Sequence, residues 1–210
     1  PGHIPRGDRE ILPYFSHLEL ESLPTGGWGY DHFPVSAAYC RKLPFEFIGM
    51  TGKFHSTWGE FGGYKHPDAL RYECMAMLAN GARCSIGDQV HPDARLDEST
   101  YRAIGQAYAE VEAKEAWCIG AESAADIAVL SNSAFHREST ESAAETGCAR
   151  ILQEGHLPFD LLDQEMDFSG YGLVILPDDI RCDAALAGRL TGYLERGGKL
   201  LLSGTSGLAA

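Results

Sequence analysis

Two stretches set carboxylates, imidazole and indole rings at short spacing: Glu21-Ser-Leu-Pro-Thr-Gly-Gly-Trp28-Gly-Tyr30 and Met50-Thr-Gly-Lys53-Phe-His55-Ser-Thr-Trp58-Gly-Glu60-Phe61. Two carboxyl groups flanking a glycosidic bond supply acid, base or nucleophile. Flat indole rings stack on the apolar face of a sugar and exclude water. The chemistry suggested is therefore sugar cleavage. Glu21 is the first choice for general acid/base. Glu19, two residues back on the same strand face, is an orienting neighbour or the acid itself, because a like charge nearby raises one of two carboxyl pKa values. Glu60, beside Trp58, offers a further catalytic carboxylate. Trp28, Tyr30 and Trp58 offer stacking faces, Lys53 and His55 hydrogen bonds to sugar hydroxyls, and Asp88, near His91, a grip on a substrate hydroxyl. Each has a plain structural alternative: a salt bridge or loop cap for the carboxylates, core packing for the rings, a helix-entry cap for Asp88.

The elements that must position these groups alternate short apolar runs with amphipathic helical patterns, the mark of α/β architecture with parallel strands. In Phe15-Ser-His17-Leu18-Glu19-Leu20-Glu21 the period is two, so Leu18 and Leu20 share one face and His17, Glu19 and Glu21 the other. A helix is expected from His32 to Lys42, a strand from Pro44 to Met50, and a helix from Asp68 to Asn80 with Tyr72, Met75, Ala76 and Ala79 inward. The stop signal Asn80-Gly81 precedes a strand at Ala82–Asp88. A long helix follows from Glu98 to Ala113, with Tyr101, Ile104, Ala107, Tyr108 and Val111 as its apolar stripe.

Residues 115–123 read as a linker. Beyond it come a strand at Asp126–Ser131, a helix at Ser139–Glu154, strands at Phe159–Leu162 and Gly172–Leu176, a helix at Asp183–Arg196 and a strand at Lys199–Ser203. That series makes a Rossmann-like or flavodoxin-like unit. The chain is therefore divided into 1–120 and 121–210. Three strand–helix units do not close by themselves, and a (β/α)8 barrel needs eight. The first part is expected to be the C-terminal part of such a barrel, the alternative being one open doubly wound sheet along the whole chain.

Composition narrows the partners. Thirty acidic against 17 basic residues leave a net charge of −13, which argues against nucleic acid and anionic membrane surfaces. No apolar run approaches the roughly 18 to 20 residues of a membrane span. The six cysteines are widely scattered without a C-x-x-C pair, so buried reduced thiols and a cytoplasmic location are expected. Asp31-His32 and His66-Pro67-Asp68 lack the paired spacing of a metal site, and no metal or cofactor is expected. In the second part, Asn132-Ser-Ala-Phe-His136 follows the first strand where a dinucleotide fold has its glycines, and Ser203-Gly-Thr-Ser206-Gly207 lacks nucleophile-elbow spacing, so contacts to other subunits are expected there and no chemistry.

The stretch Gly81-Ala-Arg-Cys-Ser-Ile86-Gly87-Asp88, the helix holding Ile104-Gly105 and the ending Glu112-Ala-Lys-Glu115-Ala-Trp117 resemble the end of the α-L-fucosidase barrel. Leu18 to Phe33 together with Gly49 to Gly62 is similar to a family of glycosyl hydrolases of α-L-fucosidase-like type. In that family a β-galactosidase trimerisation-type domain, Rossmann-like and similar to glutamine amidotransferases, follows the barrel, and residues from about Ala124 onward resemble it. The resemblance implies a glycoside hydrolase acting on a carbohydrate, assembled as a trimer or dimer. Asp88-Gln89 departs from the Gly-Pro that fucosidases usually carry there, and the fucosidase nucleophile, an Asp on the fourth barrel strand, is expected to lie before Pro1. A non-catalytic carbohydrate-binding protein that has lost the nucleophile stays open as the alternative.

Overall fold

The computed structural model describes residues 6–136 and 142–210. Among them the chain forms two compact units, one of residues 16–123 and one that joins residues 6–15 to 124–210. The expected first part, 1–120, thus differs at its start, because residues 6–15 pack with the second unit.

In the first unit, β1 (Leu18–Glu21), β2 (Phe47–Gly52) and β3 (Arg83–Gly87) form a parallel sheet in chain order. They alternate with α1 (His32–Cys40), α2 (Pro67–Ala79) and α3 (Glu98–Glu112). Parallel register sets side by side Glu19, Ile48 and Arg83, then Glu21, Met50 and Ser85, then Gly52 and Gly87. Register partners share a face, so these rows define one side of the sheet. On the other side Leu18, Leu20 and Phe47 are buried. There Gly49 lets the helices close in, since a Cβ would lie 2.5 Å from Met77 Cγ and 2.7 Å from Phe33 Cε2.

Helix ends follow local chemistry. His66 Nδ1 accepts the Asp68 amide at 3.2 Å ahead of Pro67, and Asp97 accepts the Ser99 amide at 2.9 Å to start α3. The buried stripe of α2 is Leu70, Glu73, Cys74 and Met77, a rotation away from the expected Tyr72, Met75, Ala76 and Ala79. Tyr72 is 59% exposed. The cause is Glu73, a carboxylate that occupies a core position. In α3, Ile104, Ala107 and Val111 are buried as expected, whereas Tyr101 and Tyr108 lie exposed. The expected linker holds a short helix, α4 (Glu115–Cys118).

The second unit comprises β4 (Ile127–Leu130), α5 (Asn132–His136), α6 (Ala143–Glu154), β5 (Phe159–Leu162), β6 (Leu173–Leu176), α7 (Ala184–Glu195) and β7 (Lys199–Leu202). The start of the helix expected at 139–154 lies outside the described residues. The parallel sheet has the order β5-β4-β6-β7, so its growth reverses at β4. Its inner strands read as continuous apolar runs, with Ala128, Val129, Leu130, Val174 and Leu176 almost fully buried, as a parallel sheet requires. Residues 6–15 are latched on by charge. Arg9 holds Asp163 in a fork at 2.9 and 2.8 Å, and Arg6 pairs with the fully buried Glu145, which also accepts Ser131 Oγ at 2.6 Å. All six cysteines are free; Cys40, Cys74 and Cys182 are buried and the other three half-buried. No described helix is long and apolar enough to cross a membrane.

The strand-end cluster as candidate active site

Everything that singles out the first unit chemically sits where its strands end. Glu19 and Glu21 stand half-buried between the buried Leu18 and Leu20, on the face away from the helices. His17 Nε2 lies 3.8 Å from Glu19 Oε1. Beyond Glu21 the loop folds through a 3-10 turn at Pro24–Gly26, and two left-handed glycines, Gly27 (φ 93°) and Gly29 (φ 75°), flank Trp28. Only glycine enters that region without a steric penalty. The Trp28 ring meets His32 edge-on at 4.8 Å, and His32 Nδ1 lies 3.1 Å from Ser22 Oγ.

Trp58 lies over the ends of β2 and β3. A Cβ at Gly87 would approach its ring to 2.7 Å and one at Gly52 to 2.9 Å. Gly52 and Gly87 continue the Glu21–Met50–Ser85 side of the sheet, so the indole and the two glutamates occupy one face. Phe54 supports Trp58 edge-on at 5.5 Å. The loops after β1 and β2 also touch, since a Cβ at Gly26 would meet Ser56 O at 2.7 Å. Each of the three strand-end loops carries one buried polar atom without a hydrogen-bond partner among the described residues: Thr25 Oγ1, Trp58 Nε1 and Gln89 Oε1.

The remaining expected site residues divide. Glu60 closes its own loop, its Oε2 accepting the Ser56 amide at 2.8 Å and hydroxyl at 3.0 Å. The backbone hydrogen bond from Ser56, then its hydroxyl, hold the Glu60 carboxyl below the usual range, the opposite of what a general acid needs. Glu60 thus caps its own loop, the plain alternative for this carboxylate. Lys53 is buried, with Nζ 5.4 Å from the Phe54 ring centroid and 5.3 Å from that of Tyr64. His55 is exposed. Asp88 Oδ1 accepts the Gln89 amide at 2.7 Å, and His91 meets the Phe61 ring at 4.9 Å. Tyr30 contacts helix α2. Its ring stands edge-on to Tyr72 at 5.3 Å and its hydroxyl donates to Glu73 Oε1 at 3.3 Å. Among the described residues no group of three or more His, Cys, Asp or Glu could hold a metal ion.

Sequence reasoning missed Glu73, Lys65 and Thr51. Glu73 Oε2 accepts Lys65 Nζ at 2.6 Å and Thr51 Oγ1 at 2.6 Å, and Lys65 Nζ reaches Thr51 Oγ1 at 2.8 Å. Burial pushes the Lys65 ammonium below its ordinary pKa while Glu73 opposes the shift. Burial, then the Glu73 charge, push the Tyr30 hydroxyl up. The available signal was the spacing Leu70, Glu73, Cys74, Met77, which puts the carboxylate on the inward stripe.

Residues 149–210 match the family model of the β-galactosidase trimerisation domain. The α-L-fucosidase isoenzyme 2 from Paenibacillus thiaminolyticus is 54% identical, covered over 100% of this chain and 32% of its own, with a TM-score of 0.95. A β-galactosidase from Bacillus circulans sp. alkalophilus (16% identity, TM-score 0.74, 95% of this chain and 34% of its own) shares the fold. So does a catalytic mutant of a GH42 β-galactosidase from G. stearothermophilus (19%, 0.71, 96% and 35%). The chain thus spans about a third of the length of these structures. None of the curated proteins matches. By sequence the chain resembles an α-L-fucosidase and by fold GH42 β-galactosidases, and its residues 149–210 match the β-galactosidase trimerisation domain.

Proposed function

We propose that the chain is one part of a glycoside hydrolase: the last three strand–helix units of a (β/α)8 barrel, followed by a Rossmann-like oligomerisation domain. The observation that carries this reading is the shared face of Glu19, Glu21 and Trp58 at the C-terminal ends of three parallel strands. Barrel enzymes set their chemistry at that end. Parallel sheets are covered on both faces, and here helices cover one; in a barrel the other is closed by the remaining strands.

In this reading Glu21 is the acid/base carboxylate, Glu19 its orienting neighbour, and Trp58 the platform under the sugar, with Trp28 beside it. Thr25 Oγ1, Trp58 Nε1 and Gln89 Oε1 are polar atoms buried in the three loops that frame this face. Lys53, His55, Asp88 and the loop capped by Glu60 complete the rim. A retaining mechanism sets the opposing carboxyl group about 5 to 5.5 Å from Glu21, on a strand outside this chain. The substrate is an α-L-fucoside or β-galactoside, and the trimerisation domain holds copies together as a homo-oligomer.

The test is turnover by the full-length protein of aryl α-L-fucosides and β-D-galactosides, followed by proton NMR of the released sugar. Release of one of these sugars supports the reading. Binding of either sugar at Trp58 without turnover would replace it with a non-catalytic carbohydrate-binding protein.

A further inference from the structure

The loop bearing Trp28 has a weakness built into it. Gly27 and Gly29, both left-handed, flank the ring and give the backbone more freedom than any other residue would. One residue further on, Tyr30 ends the loop with a hydroxyl fixed on Glu73 Oε1 at 3.3 Å. Glu73 is 4% exposed although it is a carboxylate on a helix. A buried carboxylate persists only when its oxygens are met. Lys65 and Thr51 saturate Oε2, and Oε1 is left to Tyr30.

That division of labour ties three pieces together: the end of β2 through Thr51, helix α2 through Glu73, and the Trp28 loop through Tyr30. A salt bridge needed only for packing would require Lys65 and Glu73 alone. A shallow cleft lined in part by Phe33, Tyr72 and Met77 adjoins the Tyr30 side chain.

We propose that Glu73 is a positioning residue which, through the Tyr30 hydroxyl, fixes the Trp28 loop in the orientation that presents the indole to a sugar. The inference rests on the glycosidase reading for its consequence, and on the geometry alone for the coupling. Glu73 touches no substrate; it acts through Tyr30.

The experiment labels the chain with 5-fluorotryptophan. In the full-length protein Trp28 and Trp117 each give a fluorine resonance, which Trp28→Phe and Trp117→Phe assign. Tyr30→Phe, which removes one oxygen, is expected to shift or broaden the Trp28 resonance and leave the Trp117 resonance in place. In the full-length protein the same change raises KM for the glycoside by about threefold or more with kcat within about twofold, the split expected when only binding geometry is lost. Glu73→Met combined with Lys65→Met removes both charges and strands neither; in that background Tyr30→Phe is expected to have no further effect on the Trp28 resonance. An unchanged Trp28 resonance in Tyr30→Phe, or an equal change in the double-Met background, overturns the proposal. A Trp28 response without turnover of any glycoside upholds the coupling and overturns the glycosidase reading instead.

Discussion

Placing a methyl group at Gly87 would strike the Trp58 ring directly, and the size of the effect follows from one distance. The added Cβ would sit 2.7 Å from Trp58 Cζ3, whereas carbon atoms rest about 3.5 to 4.0 Å apart. The ring must therefore retreat by about 1 Å. That movement would also disturb the edge-on contact of the indole with Phe54 at 5.5 Å. Overpacking of this kind costs about 1–3 kcal/mol. For a unit of this size each kcal/mol lowers Tm by about 4–8 °C. If Trp58 is the sugar platform, a displacement of about 1 Å also lowers turnover by about 100-fold.

Gly105→Ala is the control. No neighbour lies within 4 Å of a Cβ at that position in the middle of α3, so the same chemical change there is expected to stabilise the unit by about 0.5–1 kcal/mol. Both variants would be followed by thermal unfolding with tryptophan fluorescence, and by sugar titration. If Gly87→Ala left the Trp58 emission and the sugar affinity at wild-type values, the packing of the indole on the strand ends would be refuted.

Two further outcomes are expected. Glu145→Ala removes the buried carboxylate that Arg6 and Ser131 share and should cost about 3–5 kcal/mol by urea unfolding; replacing Arg6 and Glu145 together by Met and Leu should recover most of it. Hydrogen bonds from the Tyr64 hydroxyl, then Ser99, hold the Asp97 carboxyl below its ordinary 3.8, so its contribution is fully present above that pH and fades as pH falls below it. Asp97→Asn keeps an acceptor at the start of α3 but does not titrate there, and acid unfolding of the variant should be less steep below pH 4.

The alternation of Leu18 and Leu20 with Glu19 and Glu21 made β1 legible, because its helix-facing positions are apolar and the opposite face carries carboxylates. The apolar runs of β4 and β6 were legible for the opposite reason, both faces being covered. The inward stripe of α2 was not. Glu73 breaks the apolar pattern, and its compensation by Lys65 and Thr51 comes from other elements, which a helical period does not encode. Residues 6–15 were placed with the wrong unit for a related cause: Arg6 and Arg9 are held by partners 139 and 154 positions away. At the site, Trp58 was found as an exposed-ring motif, but its seat on Gly52 and Gly87 depends on strand register. Glu60, read as a catalytic carboxylate, and Tyr30, read as a stacking ring, also bond to neighbours that local spacing does not reveal, Glu60 to Ser56 and Tyr30 to Glu73.

The central claim is that the face carrying Glu21 is one wall of a sugar-cleaving site. The most direct test is Glu21→Gln in the full-length protein, with turnover measured across aryl glycosides of graded leaving-group ability. General acid catalysis contributes about 10²- to 10⁴-fold when the departing oxygen must be protonated and little when it leaves readily. A loss of that size on phenyl glycosides with a small loss on dinitrophenyl glycosides is predicted. Small and equal losses on both would contradict the account and remove Glu21 from the reaction.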